Sequence, residues 1–170
     1  VAQRKAEVAS KATGRLEFIA FEEGDLVQLG QVIARLDNKD FTATLELTKA
    51  GLRQSEVDSL DKGRKYRRAQ SLFKSGSITE SELESAEAAY QSAMATVAQA
   101  NANVRVAEVN LDNTYIRAPF DGTVLSKNAD VGEIVAPFAS SASSKGSVVT
   151  LADMSSLEVE ADVAESNLDR

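Results

Sequence analysis

The sequence contains no cysteine, no histidine and no tryptophan, and only 2 prolines in 170 residues. Without cysteine there is no disulfide frame and no thiol nucleophile. Without histidine there is no imidazole acid–base pair or triad, and with both missing a Cys/His zinc site is excluded. Only 5% of residues are aromatic, and no apolar run approaches the ~20 residues needed to cross a bilayer. No signal peptide opens the chain. The formal net charge of −7 argues against a basic nucleic-acid-binding face, so no nucleic-acid partner is expected. A Ser–Lys nucleophile or paired carboxylates survive these exclusions. No acidic residue stands in a recognisable catalytic context, however, and the reading expects no catalytic residue, cofactor or metal ligand. The lack of cysteine permits an oxidising compartment as readily as a reducing one. An abrupt opening at Val1 and a charged end, Glu165 to Arg170, read as a piece of a longer protein.

What is present falls into three textures. From Gly14 to Asp37, short apolar alternations punctuated by Gly24 and Gly30 predict brief strands and tight turns. From Phe41 for some seventy residues there is no proline, and Ala, Glu, Gln, Lys and Arg dominate, which is helix-forming composition. Strand texture returns at Tyr115 and continues through the apolar run Val148-Val149-Thr150-Leu151. The loop Ala139 to Ser147 is low in complexity and reads as a flexible connection. Leu157, Val159, Ala161 and Val163 then alternate as in a half-buried strand.

The middle texture predicts an antiparallel helical hairpin over residues 41–112. Leu83, Ala86, Tyr90, Ala93, Val97, Ala100, Val104, Ala107 and Leu111 follow one another at steps of three and four, a heptad seam. Phe41, Leu45, Thr48, Leu52, Ser55, Ser59, Lys62, Tyr66, Ala69 and Phe73 repeat the stepping on the first arm. The polar centre of that arm reads as loosely specified. Gly76 stands where a C-cap glycine stands, and Thr79-x-x-Glu82 is a capping box. Ile78 and Leu83 occupy the positions of a hydrophobic staple. Basic residues from Lys62 to Arg68 and Lys74 crowd the end of the first arm, and Glu80, Glu82, Glu84 and Glu87 open the second, each sign complementing its helix dipole. The basic run has no interleaved aromatics beyond Tyr66 and reads as a solvated face offset by the glutamates. Leu47, Ala50, Val57 and Leu60 lie off the seam, open to contacts with neighbouring copies or to ordinary surface tolerance. Arms of roughly 33 residues span about 50 Å and have no core beyond the seam, so the hairpin is expected to protrude from another body.

The flanks repeat each other. Gly14-x-Leu16 matches Gly122-x-Val124, and ten residues on Glu23-Gly24-Asp25-Leu26-Val27 matches Val131-Gly132-Glu133-Ile134-Val135. The glycines suit turns with positive φ or close strand packing. Two such copies on either side of a helical insert predict two small sheets folded on each other. The fold class expected is α+β: a flattened, lipoyl-like β-sandwich split by a long coiled-coil α-hairpin, followed by the start of a β-barrel domain. The expected boundaries are 9–40 and 113–152 for the sandwich halves, 41–112 for the hairpin and 153–170 for the barrel.

EEGDLVQLGQVIARLD (22–37), IRAPFDGTVLSKNADVGEIV (116–135) and the hairpin between them resemble the periplasmic adaptor, or membrane fusion, proteins of Gram-negative tripartite efflux pumps, over nearly the whole chain from about Ala9 to Arg170. The resemblance implies a periplasmic protein, anchored to the inner membrane through a segment absent from this chain. It would link an inner-membrane transporter, of the resistance-nodulation-division type, to an outer-membrane channel for export of drugs or small molecules. Other copies of itself, arranged as a hexamer, are implied partners. At the hairpin tip the family carries an Arg, Leu and Ser motif that engages the channel; Arg68, Leu72 and Thr79 fall at its spacings, with Thr for Ser. Thr79 is also the N-cap, so the two roles compete or coexist. Within the family, an ABC-type exporter or type I secretion system is the alternative partner. Outside the adaptor role, a lipoyl or biotinyl carrier would need a modifiable lysine between the half-motifs. The nearest, Lys39, lacks the flanking pattern.

Overall fold

The computed structural model describes residues 5–137 and 146–154. The chain forms two compact units: Lys39–Asp112, and the flanking segments that precede and follow it. The expected strand at Leu157 to Val163, the opening of a barrel and most of the loop from Ala139 lie outside the described residues.

The flanking unit contains β1 (Lys5–Ala9), β2 (Gly14–Ile19), β3 (Leu26–Val27), β4 (Val32–Leu36), β5 (Tyr115–Arg117), β6 (Gly122–Lys127), β7 (Ile134–Val135) and β8 (Ser147–Ala152). They build two four-stranded antiparallel sheets, ordered β1-β8-β6-β3 and β5-β4-β2-β7. Its core is aliphatic: Leu16, Ile33, Leu36, Val124, Val135, Val149 and Leu151 are fully buried. The run Val148–Leu151 reads as continuously apolar because β8 lies in the middle of its sheet and is buried along its length.

The repeat seen in the sequence is a repeat in space, but its halves do not each form one sheet. Each sheet takes two strands from either half: β1 and β3 join β8 and β6, and β5 and β7 join β4 and β2. The crossing is reciprocal. Gly24 N–H donates to Val124 O (2.8 Å) and Val124 N–H to Asp25 O (2.9 Å). Gly132 N–H donates to Leu16 O (2.7 Å) and Leu16 N–H to Glu133 O (2.8 Å). Gly24 and Gly132 have φ of 96° and 97°, which only glycine adopts without strain. Asp25 and Glu133 close their turns through carboxylates that accept from Glu22 N–H and Asp130 N–H. The other repeated pair needs glycine for space. A Cβ on Gly122 would lie 2.6 Å from Ala152 O, and one on Gly14 would lie 3.2 Å from Leu36 Cδ1.

Strand β1 precedes the expected start of the sandwich at residue 9. Five residues with one buried side chain, Val8, carry too short an alternation to announce a strand. It exists because β8 offers it a partner edge, with Val8 opposite Val149.

The second unit is an antiparallel pair of helices, α1 (Lys39–Lys74, 36 residues) and α2 (Glu80–Asp112, 33 residues), inserted between β4 and β5, which pair directly with each other. At 1.5 Å per residue the helices run about 54 and 50 Å. All nine seam positions of α2 are withdrawn from solvent, with Ala93, Val104 and Ala107 buried. On α1 the seam holds from Phe41 to Ala69, but Phe73 is 41% exposed. At that height the opposing first turn of α2 is Glu80-Ser81-Glu82, which offers Phe73 no apolar bed.

Candidate functional site

The hairpin tip is built by two caps. At the end of α1, Gly76 (φ 71°) donates its N–H to Phe73 O and Ser77 N–H donates to Leu72 O, both at 2.9 Å. This pair of bonds is a Schellman motif, which satisfies the last carbonyls and turns the chain sharply. Ser75 Oγ adds a bond to Leu72 O at 2.8 Å and lies 2.9 Å from Ser77 Oγ. At the start of α2, Thr79 N–H donates to Glu82 Oε2 (2.7 Å), Thr79 Oγ1 donates to the same oxygen (2.9 Å), and Glu82 N–H donates back to Thr79 Oγ1 (3.3 Å). Orphan donors of the first turn are thus satisfied reciprocally. The bond from the Thr79 backbone, then that from its hydroxyl, holds the Glu82 carboxyl below the usual glutamate range.

The tip residues singled out in the sequence sit as follows. Arg68 and Leu72, one turn apart, share a side of α1's last two turns. Arg68 is exposed and forms no ion pair among the described residues; Leu72 is 40% exposed. Thr79 is exposed, but its hydroxyl is engaged in the cap, so its free surface is chiefly the methyl group. Gly76 and Glu82 hold the turn. Gly24 and Gly132 lie in the sandwich turns, away in sequence from the tip. Lys39 is the first residue of α1 and not part of a turn between strands. Phe73, read from the sequence as a seam residue, joins Leu72 as exposed apolar surface beside the turn.

A second feature, at mid-hairpin, has only part of its basis in the seam pattern. Gly63 is buried because the Tyr90 ring lies over it: a Cβ there would be 3.0 Å from Tyr90 Cε2. Tyr90 stacks on Tyr66 with centroids 5.9 Å apart and planes at 19°. Ser59 Oγ donates to Met94 Sδ at 3.2 Å. Small residues therefore specify the polar centre of α1, which the sequence reading took as loose. A shallow cavity of about 440 Å³ opens beside Ser59, Gly63, Tyr66 and Tyr90. The signal available was Gly63, one residue past seam position Lys62 and three before Tyr66.

In the hairpin, charges pair both along a helix and across the arms. Lys65 reaches Asp61 at 2.8 Å, and that bond holds the Asp61 carboxyl below its usual range. Lys49 meets Glu108 across the arms at 3.3 Å. Among the described residues the glutamates opening α2 form no salt bridge with the basic run, so their offset is one of net charge and not of paired contacts. No three His, Cys, Asp or Glu side chains gather as a metal site among the described residues, and no described helix is long and apolar enough to cross a membrane.

Comparison with known proteins gives these features a context. The family described as RND MFP, barrel-sandwich hybrid domain, matches residues 4–151. The multidrug resistance protein MdtA of Escherichia coli is 30% identical over 132 residues, which cover 78% of this chain and 32% of that protein. The chain thus spans about a third of the length of the curated relatives it matches. Among solved structures, MacA from Actinobacillus actinomycetemcomitans superposes with a TM-score of 0.77 at 23% identity, covering 91% of this chain and 51% of that one. The membrane fusion protein Spr0693 from Streptococcus pneumoniae gives 0.69 at 19% identity, covering 90% and 61%. These two share the fold. A match to the barrel-sandwich hybrid running through both interleaved sheets and the helical insert shows that the chain belongs to the periplasmic adaptor, or membrane fusion protein, family.

Proposed function

We propose that the chain is part of a periplasmic adaptor that links an inner-membrane efflux transporter to an outer-membrane channel for the export of drugs or other small molecules. The observation that carries this reading is the family match over residues 4–151, which takes in the sandwich and the hairpin together. The family's description supports a resistance-nodulation-division transporter over an ABC-type exporter as the inner-membrane partner, and the likeness to MdtA supports multidrug export. The work is architectural. Hairpins of several copies stand side by side as a tube, their tips align with the channel, and the transporter supplies the energy. In this reading a segment outside this chain anchors the protein to the inner membrane.

Arg68 and Leu72 are the channel contacts in this reading, with Thr79 fixing the turn that presents them. A guanidinium offers planar, multidentate hydrogen bonding, and the neighbouring Leu72 and Phe73 supply exposed apolar surface. The test is Arg68→Glu in the full-length adaptor carrying this chain, in cells whose drug resistance depends on it. Charge reversal is expected to lower resistance several-fold while helical content is retained. Resistance equal to wild type would remove Arg68 from the channel contact.

A further inference from the structure

The composition leaves an oxidant little to attack. There is no cysteine, histidine or tryptophan, and of the two methionines only Met94 lies in the hairpin. It stands beside the seam and not in it: Ala93, one residue back, is buried, whereas Met94 is 49% exposed. A methionine ordinarily fills an irregular gap in a core. This one lines the open cavity at mid-hairpin instead.

Its sulfur is nevertheless held. A thioether sulfur is a weak acceptor with two lone pairs. One of them is engaged, because the Ser59 hydroxyl donates to Met94 Sδ at 3.2 Å across the arms. Ser59 is only 7% exposed, so its hydroxyl is held away from solvent. The other lone pair has no partner among the described residues. Oxygen adds to a thioether through a lone pair, and the two lone pairs of a methionine sulfur give opposite sulfoxide epimers.

We propose that Met94 is a modification site, oxidised through the lone pair that Ser59 leaves free and therefore to a single sulfoxide epimer. With hydrogen peroxide as the oxidant, that lone pair forms a bond to one peroxide oxygen and the O–O bond breaks. The hydroxide that departs takes the proton of the transferred hydroxyl and leaves as water. Sulfur gives up two electrons and the peroxide is reduced.

The product changes the tie between the arms. Sulfur becomes the positive end of the S–O dipole and stops accepting from Ser59. The new oxygen lies on the side away from that hydroxyl, which falls back on Ser55 O in its own helix. Ser55 and Ser71 already make the same bond to the carbonyls four residues before them. The hairpin loses a polar bond at mid-height, and the cavity gains a strong acceptor. Each sulfoxide epimer has its own reductase, so the mark is reversible. In the reading above the chain works in an oxidising compartment, though the site does not depend on that reading.

Peroxide tests the site at a single residue. The folded chain is oxidised and digested, and the Met94 peptide is given one or the other methionine sulfoxide reductase, which act on opposite epimers. One reductase is expected to clear at least about fivefold more than the other, the factor set by having to break one neutral hydrogen bond on the disfavoured side. The same chain oxidised in urea is expected to give both epimers about equally, since Ser59 no longer stands over the sulfur. Ser59→Ala, checked for helical circular dichroism, is expected to lose the preference in the folded state. Oxidised wild type should melt a few degrees lower in its helical signal, and Met94→Leu should melt alike before and after peroxide. Equal epimers from folded wild type would overturn the steering by Ser59, as would a preference that survives in Ser59→Ala. A Met94 that reacts in urea but not in the folded chain would overturn the site. Melting unchanged by oxidation of Met94 would overturn the loss of the bond between the arms.

Discussion

Two helical glycines separate what a residue costs alone from what its neighbours impose. Gly51 has nothing within 4 Å of a Cβ placed on it, whereas Gly63 would bring one to 3.0 Å from Tyr90. Replacing a helical glycine by alanine ordinarily gains about 0.5–1 kcal/mol. Gly51→Ala is expected to show that gain in thermal or urea unfolding. Gly63→Ala is expected to show none, because Tyr90 is held against Tyr66 and cannot swing clear at no cost, and Gly63→Val should lose ~1–3 kcal/mol. Equal gains at both sites would mean the ring moves freely. The contrast also marks a limit of sequence reading. Stepping by three and four finds which residues face the partner helix, but it does not say that the space beneath the Tyr90 ring has to be left without a side chain.

At the level of the element, the hairpin was the most legible part of the chain, since its seam, its two caps and its end charges are each local patterns. Leu83 through Leu111 could be read residue by residue because α2 has an uninterrupted partner along them; Phe73 could not, since exposure there depends on what stands opposite. The seam predicts that Ala93→Phe or Ala100→Phe overpacks the interface and costs ~1–3 kcal/mol, read as a lower melting temperature of the helical signal. The capping box predicts that Thr79→Ala costs about 0.5–2 kcal/mol. It also gives the tip a pH dependence of known sign. The Glu82 carboxyl titrates lower in the folded hairpin than in the unfolded chain, so its stabilisation is complete above the unfolded value, near 4.5, and is lost as pH falls through the folded one. Acid titration of wild type against Glu82→Gln should show the two stabilities converging in that range. Parallel curves down to low pH would remove the carboxylate from the cap. The channel contact proposed for Arg68 and Leu72 rests on family resemblance alone, since exposure and spacing fit any helix end.

For the molecule as a whole, equal spacing between the flanking copies announced a duplicated β unit but not the exchange of strands between its halves. A repeat records which segments are equivalent and is silent about which of them pair. The pairing of β4 with β5 yields a test: Arg35 lies opposite Tyr115, so the two strand ends are already neighbours. Replacing Lys39–Asp112 by a short glycine-containing turn is expected to leave a protein with sheet-type circular dichroism and one cooperative unfolding transition. A chain without such a transition would show that the β unit depends on the helices for its stability.

The reciprocal bonds that tie Gly24 to Val124 and Gly132 to Leu16 also set a timetable for biogenesis. The helices are made of contacts near in sequence and can coil together while the chain is still being synthesised. Before the helices only β2 and β4 find each other locally. The glycine turn and the edge strands β1 and β3 wait on partners made more than eighty residues later, so a product halted before Gly122 would carry two sticky β segments with nothing to close them. An adaptor of this design is therefore most exposed to proteases and aggregation in the interval between finishing its helices and finishing its sheets.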